Sequence, residues 1–340
     1  MDMRKNTLLL AAIFISILIS IDWYAGNRNL KKISPRPLTL IVTPQTIIQG
    51  DPVMITLNGT TTIADIKSGS VIGIGGVGAT ALSFMIYQNT PTSFYGTGIN
   101  QKTGSTTVTV VFKKTTDTAS GSTSQTSSQK LSATFFIKPR IRPEEPLPIP
   151  MQIGGNSPAN QIVVENTLDK ENTEIAAVPS YKKGAFWTGA FTFPLANPTN
   201  GNNDRVSNDS IGNDGTGLKV TDPYGYNRDT GEITIPHKGT DFKAAIGTPV
   251  YAINDGLVRL TSTFVVYGNT IIIDHGLGIE SLYMHLSRIV ATPGEVIKRG
   301  QLIGYSGETG YAVGPHLHLS IKIGGVSIDP MKFFALFGLQ

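Results

Sequence analysis

The sequence predicts a mainly β protein, and three observations carry that prediction. Valine, isoleucine and threonine recur in short runs broken by turn residues, with 37 glycines and 20 prolines among 340 residues. Within several runs apolar and polar residues alternate with period two, as a strand buried on one face requires. Beyond the N-terminus no long stretch shows the apolar spacing of an amphipathic helix. Cysteine is absent, so disulfides and thiolate metal sites are excluded, and any metal must be held by His, Asp or Glu. The net charge of +4 comes from scattered basic residues. No compact Arg/Lys stripe marks a nucleic-acid footprint, and no nucleic-acid partner is expected.

The first element reads as a membrane anchor. Arg4 and Lys5 precede an uncharged stretch from Thr7 to Ile21, closed by Asp22, Trp23 and Tyr24. The block falls short of the roughly 20 residues of a spanning helix, but Trp23 to Ala25 complete it at the interface. A cleaved signal peptide is the competing reading. No small-x-small site lies beside the block, so residues 1–25 are expected to stay as an uncleaved signal anchor. Both readings export the rest of the chain.

Residues 26–37, with Ser34-Pro35-Arg36-Pro37, form a polar linker. From 38 to 140, Leu38, Leu40 and Val42 alternate with Thr39, Ile41 and Thr43, and Val53, Ile55 and Leu57 alternate again. Further strand-like runs lie at 70–74, 81–87, 105–113 and 131–137. That spacing resembles bacterial immunoglobulin-like modules and implies a small antiparallel immunoglobulin-like β-sandwich. The polar stretch 115–130 is expected to be a mobile loop between two of its strands. Residues 141–183, proline-rich and then polar, read as a linker.

Residues 184–340 form the last domain, a β-rich antiparallel one. Short strands are expected at 248–253, 256–260, 270–274, 279–285 and 316–323, separated by glycines. Ahead of them, 197–217 is rich in Asn, Gly, Asp and Ser and reads as a long loop that gates a cleft or is a surface insertion. The last strand poses the chemical question. In GPHLHLSIKI, Leu317, Leu319, Ile321 and Ile323 alternate with His316, His318, Ser320 and Lys322, so two imidazoles share one polar face. In PHKGTDFKA, His237 and Asp241 lie four apart around Gly239, which lets the chain turn so that both converge. One imidazole, one carboxylate and one further imidazole make a three-ligand zinc set with a fourth position for water. The residues alone do not say whether His316 or His318 closes it.

HKGTD (237–241), YMHLS (283–287) and GPHLH (314–318), in this order, resemble the M23 family of zinc metallopeptidases. These are the LytM/lysostaphin-type enzymes that cut peptidoglycan peptides. GTPVYAINDGLV, YGNTIIIDHG, KRGQLIGYSGETG and the closing Asp329-Pro330 carry the resemblance from Phe191 to Pro330. It implies that His237, Asp241 and His318 hold Zn2+, and that His316 and His285 are catalytic histidines outside the metal shell. His316 is the expected general base, while His285 would bond the oxyanion or orient the water. Tyr283, two residues before His285, is expected on the same strand face as a further donor. His275 is expected to make a local hydrogen bond or to face the cleft rim, and Asp274 and Glu280 to be solvated turn residues rather than catalytic carboxylates.

The expected function is a zinc endopeptidase that hydrolyses peptide bonds of peptidoglycan cross-links or stem peptides with a metal-activated water. The alternative is a non-hydrolytic zinc- and peptidoglycan-binding regulator of another cell-wall hydrolase. The expected partners are peptidoglycan peptides, a membrane through the N-terminal helix, and a regulatory protein. The expected location is the cell envelope, with the bulk of the chain outside the cytoplasm.

Overall fold

The computed structural model describes residues 37–59, 63–72, 79–117, 124–195, 218–230 and 234–339. The anchor read at 1–25 and the loop read at 197–217 lie outside the described residues. Among the described residues no helix is long and apolar enough to cross a membrane. The architecture is mainly β, with antiparallel pairing dominant. From Thr39 onward the chain is one compact unit.

The N-terminal half builds two sheets. Thr39–Thr43, Pro52–Asn58, Thr90–Gly96 and Met85–Tyr87 pair in that order as a four-stranded sheet. Thr46–Ile48, Ser124–Lys138, Gly104–Asp117, Ile66–Ile72 and Ala79–Ala81 form a five-stranded one. The alternation read in the sequence gives them their core: Val53, Ile55 and Leu57 on one strand, and Val108 and Val110 on another, are fully buried. Of the stretch 115–130 read as a loop, residues 115–117 and 124–130 are strand, and 118–123 lie outside the described residues. Its backbone continues a long hairpin with register from Gly104↔Ile137 to Asp117↔Ser124. Its Ser and Thr side chains mimic a loop composition, but cross-strand backbone bonds do not depend on apolar side chains.

The polar stretch after residue 150, read as linker, contains a helix at Pro158–Ala176. Ser157 caps it by accepting from the Asn160 amide at 3.3 Å, and Pro158 fits the first turn, where an amide would have no partner. The buried face holds Gln161, Val164, Glu171 and Ile175. The spacing is helical, yet two of the four are polar, which hides the stripe from a reading based on hydrophobic period. Glu171 is satisfied by backbone: its carboxylate accepts from the amides of Val265, Val266 and Tyr267 at 2.6–3.2 Å. Ile175 packs with Phe264, Ile272, Leu282 and Met284.

The C-terminal half is organised by one large sheet. Its order is Val220–Asp222, Thr240–Lys243, His316–Ile323, Ile279–Leu286, Asn269–Gly276, Gly256–Thr263 and Val296–Ile297, with Val326–Ile328 hairpinned onto the end of the third. Leu317, Leu319 and Ile321 point into the core with Phe242, Ile271 and Ile273, all completely buried. Their alternates, starting at His316 and His318, face the other way. The same core takes in Met85, Tyr87 and Phe94 from the N-terminal sheets, which meet Trp187 and Phe337. Arg140 adds a polar tie. It pairs with Asp51 at 2.8 Å and Asp329 at 3.1 Å, and lies over the Tyr224 ring.

Candidate active site

Strand pairing brings the chemistry together. Asp241 and His318 are direct partners on neighbouring antiparallel strands, and Met284 faces His318 from the other side. His237 enters from the turn just before. Its position is held by its own backbone, whose amide donates to the Tyr226 carbonyl at 2.7 Å and whose carbonyl accepts from the Gly225 amide at 2.9 Å. Gly239 is needed here because of a close approach rather than a special φ. A Cβ on it would lie 2.3 Å from His318 Nε2 and 2.7 Å from the Leu319 carbonyl oxygen.

Among the described residues, His237, Asp241 and His318 form a group able to hold a metal ion, all three buried. His237 Nε2 lies 3.0 Å from His318 Nδ1 and 3.2 Å from Asp241 Oδ1, and His318 Nδ1 lies 2.8 Å from the same oxygen. Their outer partners set the tautomers. His237 Nδ1 donates to the Pro223 carbonyl at 3.0 Å. His318 Nε2 donates to Ser320 Oγ, whose own proton goes to the Lys238 carbonyl. Two imidazole lone pairs and a carboxylate oxygen therefore meet face to face, and only a cation among them can hold them there. Without a metal that cation is a proton: burial works most strongly against the His237 imidazolium, but the Asp241 charge together with hydrogen bonds to Asp222 and Asp241 outweighs it and raises the affinity of His237 for a proton. Burial pushes His318 down to about 4. This donor set of two nitrogens and one oxygen, closely matched in spacing and backed by outer hydrogen bonds, fits zinc.

The two remaining histidines sit beside this group. His316 Nδ1 donates to the Gly314 carbonyl and His285 Nδ1 to the Thr309 carbonyl, both at 2.8 Å. Each ring thus directs its Nε2 away from the carbonyl that holds Nδ1. His316 Nε2 is buried without a hydrogen-bond partner and lies 3.8 Å from Asp241 Oδ2. The two rings are 4.8 Å apart between centroids. Burial, joined by the nearby His316 and His318, holds the His285 imidazole well below its usual range, so it stays neutral.

Tyr283 does not share a face with His285. His285 has a left-handed backbone with φ of 60°, and this single twist turns its side chain onto the cleft side while Tyr283 stays in the core. The Tyr283 hydroxyl accepts from the Ile253 amide at 3.0 Å and is wholly buried. His275 does make the local contacts expected of it, with the Asp255 carbonyl and Ser281 Oγ, both at 2.8 Å. Asp274 and Glu280 are not solvated turn residues. Both are buried, and Asp274 is paired with Arg259 at 2.8 Å.

Sequence reading missed Arg228 and Asp222. Arg228, on the strand Asn227–Asp229, bridges the two carboxylates: it pairs with Asp222 at 2.5 Å and with Asp241 Oδ2. It occupies the Asp241 oxygen that does not face the two imidazoles. Asp222 in turn lies 3.4 Å from His237 Nδ1. Neither residue has a spacing that marks it in the sequence; a run of turn-forming residues surrounds both. The site opens into a cleft of about 970 Å³ that the helix Pro158–Ala176 walls on one side and the loop 98–101 on another.

Residues 235–330 match the sequence profile of peptidase family M23. These residues form a peptidase family M23 domain. Within M23 it is 45% identical over 97 residues to the peptidoglycan DD-endopeptidase ShyA of Vibrio cholerae, covering 28% of this chain and 23% of that protein. It is 38% identical over 115 residues to the DD-carboxypeptidase/endopeptidase Mpg of Neisseria meningitidis, covering 34% of this chain and 26% of the relative. These matches span about a quarter of the length of the curated relatives. Among solved structures, the catalytic domain of the antimicrobial peptidase lysostaphin from Staphylococcus simulans is 35% identical. It aligns with a TM-score of 0.32 over 35% of this chain and 92% of that one.

Proposed function

We propose that this protein is a zinc endopeptidase that hydrolyses peptide bonds in peptidoglycan, with His237, Asp241 and His318 as the metal ligands. One observation carries the reading: three ligand atoms converge within hydrogen-bond distance, beside two histidines, His316 and His285, whose Nδ1 atoms are each held by a backbone carbonyl. When bound, zinc acts as a Lewis acid and lowers the pKa of a water from 15.7 to about 7.

The chain's own residues do the rest. His316 Nε2, lacking any protein partner, accepts the proton of the attacking water and returns it to the departing amine. The Gly314 carbonyl holds the other ring nitrogen and so fixes the direction of that transfer. His285 has its N–H committed to Thr309, so in its neutral form it accepts rather than donates. That favours orienting the water over bonding the oxyanion. Arg228 keeps Asp241 Oδ2 occupied, leaving Oδ1 alone for the metal.

The relatives named as peptidoglycan DD-endopeptidases point to the bond class, a cross-link between a D-alanine and a diamino acid. We extend that class to this chain, and with it a location outside the cytoplasm. The hydrophobic N-terminal stretch would anchor the protein in the membrane, and the two N-terminal sheets would act as an immunoglobulin-like spacer between membrane and site.

The test is digestion of purified peptidoglycan by the full chain, with fragments identified by mass spectrometry. Cleavage at D-alanyl cross-links that stops on chelation, returns with zinc and falls at least a hundredfold in H316A supports the reading. Wall binding without cleavage under zinc would instead favour a non-hydrolytic regulator.

A further inference from the structure

The polar face that begins with His316 and His318 does not end at the metal group. Ser320 and Lys322 continue it, and His318, Ser320 and Lys322 all line the cleft. At about 3.4 Å per residue, Lys322 stands roughly 13 Å along the strand from His318. Its four-carbon arm gives the ammonium several ångströms of reach about that point, which brings groups about two to four residues from a bond held at the metal group within its range.

The surroundings of this ammonium are short of negative charge. Lys322 is half-buried, and no carboxylate of the described residues comes within 4.0 Å of it. Glu280 is its cross-strand partner and the acid that most influences it. Burial pushes the Glu280 carboxyl up to about 7, so at neutral pH this neighbour carries only part of a charge. Lys238, exposed on the same cleft, adds a second positive group. On the helix wall Asp169, Asn172 and Thr173 line the cleft, and Asp169 alone of these is acidic. A half-buried ammonium with an incomplete counter-charge, aimed into a peptide-sized cleft, is a receptor for an anion.

We infer that Lys322 is a substrate subsite that binds a carboxylate of the peptide, carried two to four residues from the scissile bond. The inference rests on the peptidase reading above and deepens it: the enzyme would select peptides that keep that carboxylate free over peptides in which it is amidated.

The experiment uses the full chain and two synthetic cross-linked peptides that differ only in a free or amidated carboxylate at that distance. Wild type is expected to show a KM about tenfold lower for the free acid, as one charge-assisted hydrogen bond gives. K322M should bring the two KM values together, and K322R should keep them apart. The same preference should appear in the Kd of each peptide for the zinc-depleted full chain, read by fluorescence anisotropy, with a thermal melt confirming that each variant folds. Equal KM and Kd values for both peptides in wild type, or a preference that survives in K322M, would overturn the subsite while leaving the peptidase reading intact. Cleavage of neither peptide by the zinc-loaded chain would overturn both.

Discussion

Gly239→Ala tests the geometry of the metal group through a single methyl. The added Cβ would sit 2.3 Å from His318 Nε2, 2.6 Å from its Cε1 and 2.7 Å from the Leu319 carbonyl oxygen. Ordinary contact begins at 3.4 Å, so the ring must retreat by 3.4 − 2.3 = 1.1 Å or the turn must open by a similar amount. The ring has little freedom to do so. Nε2 is held by Ser320 at 2.9 Å, and Nδ1 lies 2.8 and 3.0 Å from Asp241 and His237. Overpacking of this kind costs about 1–3 kcal/mol of stability, and a misplacement of about 1 Å in a ligand group costs on the order of a hundredfold in function. The expected outcome is a zinc affinity down ten- to a hundredfold, measured by competition with a chromophoric chelator. G189A is the control, because its Cβ would meet only Arg299 Nη1 at 3.7 Å, and it should melt within about 0.5 kcal/mol of wild type. A G239A protein with zinc affinity within twofold of wild type would refute the proposed ligand arrangement.

Arg228→Met should leave Asp222 and Asp241 with His237 as their remaining basic neighbour and cost about 3 kcal/mol in the zinc-free protein; urea unfolding with and without zinc would show the loss. R228K should recover only part of it, since a point charge cannot bridge both carboxylates as a guanidinium does. Arg140→Met should cost about 3 kcal/mol by the same route, by freeing Asp51 and Asp329, and a melt of the full chain that is unchanged would refute the tie. Glu280 supplies a pH test. Its carboxyl is pushed by burial from 4.5 to about 7, so between those values the folded state alone keeps the proton and stability falls as pH rises, by about 3 kcal/mol in all. E280Q should therefore gain stability relative to wild type between pH 4.5 and 7 and hold that gain above pH 7. A difference that does not change with pH would contradict this. H285A should lower kcat on peptidoglycan at least tenfold while zinc affinity stays within threefold, because His285 is not among the three converging ligand residues.

What the sequence disclosed was the part of the site written in period two. His316 and His318 share a face because strands alternate, and the apolar residues between them say which face is core. Even Gly239 was legible as a constraint, although its reason is the ring packed against it and not a turn that needs its freedom. What alternation could not carry was any break in itself. His285 reaches the cleft through one left-handed residue, and a strict period of two therefore puts Tyr283 beside it when Tyr283 is in the core. The helix Pro158–Ala176 was hidden for a different reason: its buried stripe includes Gln161 and Glu171, which accept hydrogen bonds from the distant Thr230 and Val265.

Arg228 and Asp222 show the same limit at the site itself. Their meaning comes from contact with Asp241 and His237, so no local pattern could announce them. This difference has a physical cause. Of the three converging groups, Asp241 and His318 are fixed by strand pairing, because a strand delivers side chains to one face at set intervals, and His237 is added by the turn just ahead of Thr240–Lys243. Groups that orient those ligands need only reach them, and a long guanidinium does so from any nearby strand. The outer layer therefore arises wherever the fold brings a suitable arm within range, which here includes segments ahead of the matched residues 235–330.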